Sequence, residues 1–128
     1  PAMITADPLT VAPRGSQLGL TWWWTIAPDA SFTLTPVAPD EPLASVSGAL
    51  RSPSCGPATV TATLTSGAQT TSVSVDALPK ASTPFSLALD TPSSDPATLT
   101  VSTDAPGCAE GDFPYDQYAQ VIDLAPHS

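Results

Sequence analysis

The stretch ATVTATLT, residues 58–65, alternates strictly between apolar and hydroxyl side chains. Successive side chains of a β-strand point to opposite faces of the sheet, so this period of two predicts a strand with one buried and one solvent-facing side. Threonine at every second position adds β-branched side chains, which favour strand geometry. This pattern limits the possible folds more than any other feature of the chain.

The same alternation recurs in other parts of the chain and predicts further strands. The residues that it assigns to the buried side are Phe32, Leu34, Val73, Val75, Phe85, Leu87, Leu89, Leu99 and Val101. Segments rich in Pro, Gly and Asp separate the runs at intervals of roughly 8–15 residues, which is typical of a sandwich or barrel. We therefore predict an all-β fold, an antiparallel two-sheet sandwich of about eight or nine strands.

The length of 128 residues favours a single domain. We interpret residues 1–3, Pro-Ala-Met, as a cloning scar, and residues 4–128 as one sandwich domain cut from a longer protein. Within it we expect a core at 8–78, followed by additional strands and an acidic loop at 80–128.

Acidic residues dominate the charge of the chain. Its formal net charge is −9, from twelve acids against Arg14, Arg51 and Lys80, and residues 81–128 carry no Lys or Arg. Nucleic acids and anionic membrane surfaces both require basic patches, so neither is an expected partner. No apolar run reaches the roughly 18 residues that a membrane-spanning helix needs, so we expect no membrane insertion within this fragment.

Two stretches are similar to immunoglobulin-like repeats of cell-surface proteins. PLTVAPRGSQLGLTWWWTI resembles the first strands of such a repeat, and VSGAL…CGPATVTATLTSGAQTTSVSVDAL resembles the closing strands of bacterial Ig-like, PKD-type and REJ-type repeats. The resemblance covers roughly residues 8–78. It implies an immunoglobulin-like sandwich in an extracellular, cell-surface protein. The chain departs from the antibody type because position 22 is Trp and neither cysteine falls in a strand-like context.

The two cysteines lie in loop-like contexts. Cys55 occurs in SPSCGP and Cys108 in APGCAEG. Two loop cysteines in a β-rich domain favour a disulfide and an oxidising, extracellular location, and two free thiols in a reducing compartment are the alternative. A zinc site built from both cysteines and His127, the only histidine, is one ligand short, so we expect no metal and no cofactor.

All three tryptophans occur together in LGLTWWWTIAP. The alternation places Trp22 and Trp24 on the apolar side of a strand, where large aromatic residues fill the space between sheets. Trp23 falls on the polar side. It packs under a long loop or the acidic tail, or it forms a binding surface for a protein, a glycan or a neighbouring domain. A bulge that reverses the two faces of the strand is the third alternative.

The segment DAPGCAEGDFPYDQY, residues 104–118, is the second candidate site. Its aromatic residues Phe113, Tyr115 and Tyr118 are candidate contacts for a partner, since binding residues concentrate on loops that a rigid scaffold holds. Its carboxylates form a weak calcium candidate, because calcium binds six to eight oxygens; a solvated acidic loop is the alternative. These carboxylates are Asp104, Glu110, Asp112 and Asp116.

The four threonines of residues 58–65 form a regular row on one strand face. Regular threonine rows can match an ice lattice, but that requires several flat strands in register, and sandwiches are twisted. We therefore interpret this row as an ordinary solvent-facing strand surface.

Enzymatic activity is not expected. A Ser–His–Asp or Cys–His mechanism has no base except the terminal His127, GSQLG is not a nucleophile elbow, and no glycine-rich phosphate loop is present. Two functions remain. The first is an extracellular adhesion or recognition module that binds a protein or glycan; the second is a structural spacer in a surface array, whose termini should lie at opposite ends of the sandwich.

Overall fold

A computed structural model describes most of the chain and shows two stacked sheets. The backbone is described for residues 2–6, 11–15, 22–26, 29–36, 41–104, 107–108 and 119–127, and the side chains of these ranges from Ala30 onward. This part of the chain consists of strands and their connections, and no helix in it could span a membrane.

Ten strands follow one another along the described ranges. They are β1 (Ala2–Ala6), β2 (Val11–Gly15), β3 (Trp22–Ile26), β4 (Asp29–Pro36), β5 (Leu43–Arg51), β6 (Ala58–Ser66), β7 (Gln69–Ala77), β8 (Thr83–Ser93), β9 (Ala97–Thr103) and β10 (Ala119–His127).

The strands divide equally between two antiparallel sheets. Sheet I has the order β1-β4-β9-β6-β7, and sheet II has the order β2-β3-β10-β5-β8. Every neighbouring pair is antiparallel. The all-β, two-sheet sandwich predicted from the alternation is thereby confirmed. The count exceeds the expected eight or nine strands because β1 and β5 lack the alternating pattern.

The apolar residues between the sheets form one continuous core. The faces assigned from the sequence are confirmed in β4, β6, β8 and β9: Phe32, Leu34, Val60, Leu64, Leu99 and Val101 are 0% exposed, and Phe85, Leu87 and Leu89 are buried. Val73 and Val75 of the edge strand β7 pack against this core while remaining half-buried. The hydroxyl residues between these positions face away from the core.

Two of the three strands after Lys80, β9 and β10, occupy interior positions in the sheets, and the third, β8, is an edge strand of sheet II. In sheet I, β9 lies between β4 and β6; in sheet II, β10 lies between β3 and β5. Residues 80–128, which we expected to add strands to a core at 8–78, thus supply strands that lie between those of the core. The division into a cloning scar and one domain remains a prediction, and β1 begins at Ala2, inside the proposed scar.

Strand β5 lies in the middle of sheet II although its sequence, LASVSGALR, does not alternate cleanly. A register shift between Leu43 and Ser45 changes the phase, so both Leu43 and Val46 are buried. Gly48 then takes an inward position beneath the ring of Phe85, where a Cβ atom would lie 2.9 Å from Cε1 of Phe85. The bulge and the glycine together interrupt the alternation of apolar and polar residues that would identify β5 from the sequence.

We predict that Leu99→Ala lowers the free energy of unfolding by about 2–5 kcal/mol, because it leaves a cavity at a fully buried position of a central strand. Urea denaturation measures the effect. The exposed neighbour Thr98 provides the control: Thr98→Ala should change stability by less than about 1 kcal/mol. Equal effects of the two substitutions would contradict the placement of β9 in the core.

Candidate functional site

A disulfide joins two connections at one end of the sandwich. Cys55, between β5 and β6, is bonded to Cys108, between β9 and β10, with 5.8 Å between their Cα atoms. The pairing agrees with the expectation from the loop contexts of both residues. Cys55 is exposed and Cys108 half-buried, and the backbone N–H of Cys55 donates a hydrogen bond to the Sγ of Cys108 over 3.0 Å.

Backbone hydrogen bonds hold the chain around Cys55. The N–H of Ser52 donates to the carbonyl of Leu78 over 3.1 Å, and the N–H of Gly56 donates to the carbonyl of Pro53 over 3.2 Å. Ser52 and Pro53 are both buried. The connection from β5 to β6 is therefore a fixed turn attached to the end of β7, and it offers Cys55 as an anchor.

The chain leaves β9 through contacts with Thr59 of β6. The Asp104 carboxylate accepts a hydrogen bond from the N–H of Thr59 over 3.2 Å, and the N–H of Asp104 donates to the carbonyl of Thr59 over 3.3 Å. Gly107 has a φ of 101°, which side chains rarely permit, and it directs the chain into Cys108. Asp104, one of the four calcium candidates, thus has a structural partner.

Strand ends meet at this end of the sandwich, which we call the disulfide end. The register places there the last residues of β1, β3, β5, β7 and β9 and the first residues of β2, β4, β6, β8 and β10. Residues 104–118 are the longest stretch of sequence between two of these strands, and long connections in compact domains usually carry function. The opposite end, called the far end here, is where β1 begins and β10 finishes, because Ala2 pairs with Pro36 and His127 with Ser45.

The second candidate site from the sequence is anchored at both of its ends. The disulfide holds Cys108, and Ala119 begins β10 as the register partner of Ile26. Residues 109–118 themselves lie outside the described residues. They include the candidate contacts Phe113, Tyr115 and Tyr118 and the carboxylates Glu110, Asp112 and Asp116. Asp104 is the one calcium candidate that the structure describes.

Trp23 lies in β3, three residues before Ile26, where the strand ends at the disulfide end. In the backbone register Trp24 is opposite Val121 and Trp23 is opposite Ile122, while the side chains of β3 lie outside the described part. Four consecutive residues of β10, Ala119–Ile122, are at most 3% exposed. Because alternate residues point to opposite faces, both faces of sheet II are covered around Ile122.

Sequence reasoning missed Arg51 as a residue of this region. It ends β5, pairs in register with Gln120 at the start of β10, and donates a hydrogen bond from Nε to Ser82 Oγ over 3.2 Å. Gln120 is 3% exposed, so this part of sheet II holds a buried amide beside a half-buried guanidinium. The residues next to Arg51 in the sequence do not predict these contacts, because Ser82 and Gln120 are far from Arg51 along the chain.

Other groups with possible chemistry lie apart from the disulfide end. Within the described residues, no three His, Cys, Asp or Glu side chains are grouped so that they could hold a metal ion. The only histidine of the chain, His127, lies at the far end, with its Nε2 2.7 Å from the Oγ of Ser47. This contact is exposed, and a Ser–His contact alone supplies neither an orienting acid nor an oxyanion site.

Comparison with known proteins shows similarity in fold only. No protein-family model matches the chain, and no curated protein matches it significantly. Seven chains of known structure do match. One is TmCBM61 in complex with β-1,4-galactotriose, with a TM-score of 0.51 and 12% identity over 99% of this chain and 89% of the other. This supports the β-sandwich; the immunoglobulin-like type expected from the sequence remains a prediction.

We predict that replacing both cysteines, Cys55→Ser with Cys108→Ser, lowers the free energy of unfolding by about 4 kcal/mol. The bridge spans a sequence separation of 53 residues, and its loss frees the unfolded chain to that extent. Urea denaturation of the double variant measures this effect, and the wild type in reductant should match it. Two thiols alkylated in the untreated protein, seen by intact mass, would contradict the disulfide.

Proposed function

We propose that this chain is an extracellular, non-catalytic module that binds a glycan at the disulfide end. The observation that carries the proposal is the fold similarity to TmCBM61, a carbohydrate-binding module solved with β-1,4-galactotriose, over nearly the whole chain. Similarity of fold alone does not specify a ligand. The position of the site is supported instead by the disulfide and by the aromatic residues of segment 104–118.

The aromatic residues of segment 104–118 provide the surface that a sugar requires. Phe113, Tyr115 and Tyr118 supply flat apolar faces, and tyrosine adds a hydroxyl that can bond to a sugar hydroxyl. The disulfide at Cys108 and the start of β10 at Ala119 restrict the segment at both ends. Such restriction lowers the entropy lost when a loop orders around a ligand.

Trp23 is proposed as a further contact beside this segment. Tyr118 directly precedes Ala119, which pairs with Ile26 in the same strand as Trp23. Trp23 is therefore three residues along β3 from the position at which the aromatic segment enters the sheet. The burial around Ile122 is also compatible with the alternative, in which Trp23 packs beneath other residues. Iodide quenching of the tryptophan fluorescence distinguishes a packed Trp23 from an exposed one.

The disulfide supports an extracellular or cell-surface location. Structural disulfides persist in oxidising compartments and are rare in the cytosol. The partner is accordingly proposed to be a glycan of a cell surface or of extracellular material, reached by a module attached to neighbouring domains of a longer protein. A protein ligand at the same aromatic surface is the alternative that the binding experiments distinguish.

The strand directions disfavour the function of a spacer. A spacer in a linear array should receive the chain at one end of the sandwich and release it at the other. Here β1 starts and β10 finishes at the far end, while β9 ends and β10 starts at the disulfide end. This arrangement presents the disulfide end outward from the points of attachment, as a binding module requires.

Our third prediction concerns the tyrosines. The double variant Tyr115→Ala with Tyr118→Ala should weaken binding to an immobilised β-1,4-galacto-oligosaccharide, or to the oligosaccharide preferred on a glycan array, by roughly thirtyfold or more, since loss of anchoring aromatic residues costs about 2 kcal/mol or more. Tyr115→Phe with Tyr118→Phe is the matched control, because it retains both rings.

The control should stay within a few-fold of the wild type, and both variants should keep the wild-type denaturation midpoint. Absence of binding to every oligosaccharide on the array would exclude the glycan function. Equal affinity of the alanine variant and the wild type would move the site away from segment 104–118.

Our fourth prediction concerns Trp23. Iodide should quench one readily accessible fraction of the tryptophan fluorescence, and Trp23→Phe should remove that fraction. A saturating oligosaccharide should protect the same fraction, because a bound sugar covers the indole ring. If iodide reaches none of the three tryptophans, Trp23 is packed and the glycan contact rests on residues 113–118 alone.

A further inference from the structure

The outer face of sheet I carries a grid of hydroxyl groups. Residues that pair across antiparallel strands lie on the same face, so the printed register aligns side chains into rows perpendicular to the strands. One row has a threonine on each strand from β4 to β7 in the sheet order. Its members are Thr33, Thr98, Thr65 and Thr70.

The next row also consists entirely of hydroxyl residues. It contains Ser31, Thr100, Thr63 and Ser72, from β4 to β7. A third row towards the disulfide end contains Ser102, Thr61 and Ser74, with the backbone of Asp29 completing it on β4. Thr98, Thr65 and Thr100 in the middle of the grid are exposed.

The rows are regular because the pairing in sheet I is uninterrupted. None of its four strand pairs has a register shift, whereas sheet II has shifts in β10–β5 and in β5–β8. Strand geometry then sets the repeat at about 4.8 Å between strands and about 6.8 Å between alternate residues of one strand. The solvent-facing threonine row of β6 is thus one column of a two-dimensional array.

Hydrogen bonds between side chains order part of the grid. The hydroxyls of Thr63 and Ser72 are 2.8 Å apart, and those of Thr61 and Ser74 are 2.9 Å apart. Each hydroxyl has one donor and two acceptor positions, so a bonded pair keeps one donor and three acceptor positions for an external partner. The pairing fixes these positions in space and leaves most of them available.

The grid lacks the features that other partners require. The rows of Thr65 and Thr63 contain no charged residue in a chain of net charge −9, and they contain no aromatic residue. An ionic partner has no counter-charge in these rows, and a sugar ring has no aromatic face for stacking. A neutral array of hydroxyl and methyl groups is complementary to an uncharged, periodic lattice of hydrogen-bonding groups.

We propose that the outer face of sheet I binds the surface of ice. Matching an ice lattice requires strands that are aligned in register and nearly flat. The uninterrupted register satisfies the first requirement, and the second limits the extent of the matching surface. Sheet twist of roughly 20–25° between neighbouring strands limits the matching area to the central strands β4, β9 and β6. One hydroxyl contributes little net free energy in water, so the effect depends on many contacts formed together on a solid.

The test compares two Thr→Tyr substitutions for their effect on ice. Thr100→Tyr places a bulky side chain in the middle of the grid, and tyrosine is well tolerated in strands. Thr91→Tyr is the matched control: Thr91 is an exposed residue of β8 in sheet II, and its hydrogen bonds to Gln69 involve only its backbone. Thr98→Tyr is a second grid variant in case Thr100→Tyr does not fold, and denaturation midpoints verify the fold of each.

The wild type and Thr91→Tyr should show thermal hysteresis and partition into growing ice, and the grid variant should lose both. The proposal is overturned if the wild type leaves ice growth unchanged, if a folded grid variant retains the activity, or if Thr91→Tyr loses it equally. If the grid variant instead loses binding to an insoluble polysaccharide, the face contacts carbohydrate and the ice proposal is wrong. These outcomes are independent of glycan binding at the disulfide end, which the tyrosine variants test.

Discussion

The apolar layer between the two sheets is the interaction on which the rest of the structure depends. Its central side chains, such as Phe32 and Leu99 in sheet I and Leu50 and Val121 in sheet II, are completely buried. Burial of this kind is the dominant favourable term in folding, while each ladder hydrogen bond adds little net free energy. Because β9 and β10 supply central parts of this layer, it cannot close before the last third of the chain is in place. Such non-local pairing is typical of slowly folding β-proteins.

The core also determines where function can be located. The antiparallel pairing brings the last residues of β1, β3, β5, β7 and β9 together at the disulfide end. The bond from Cys55 to Cys108 then joins the short, hydrogen-bonded turn after β5 to the long connection after β9. The disulfide and the start of β10 thereby fix the two ends of the segment that we propose to bind a glycan, and binding residues concentrate on loops that a rigid scaffold holds.

The sequence predicted those parts of the fold that depend on one strand at a time. Alternation identified β4, β6, β8 and β9 and their buried faces. It missed β5 because a bulge and the inward Gly48 disturb the period. It could not order the strands, since nothing in residues 97–103 indicates that they lie between β4 and β6. The flanking Pro and Gly residues predict that Cys55 and Cys108 lie in loops. The pairing of Arg51 with Gln120 cannot be predicted in this way, because it depends on the register between distant strands.

The same limit applies to the threonines of β6, whose pattern in the sequence alone predicts an ordinary solvent-facing surface. A sequence shows only one column of the grid at a time. The rows arise because β4 pairs with β9, β9 with β6 and β6 with β7 without a register shift. The described carboxylates of sheet I and its connections, including Asp76, Asp95 and Asp104, lie outside the rows of Thr65 and Thr63. The carboxylates that lie outside these rows leave the middle of this face neutral. The two outer faces therefore differ: sheet II is covered around Ile122, and sheet I exposes a neutral array of hydroxyl groups to its surroundings.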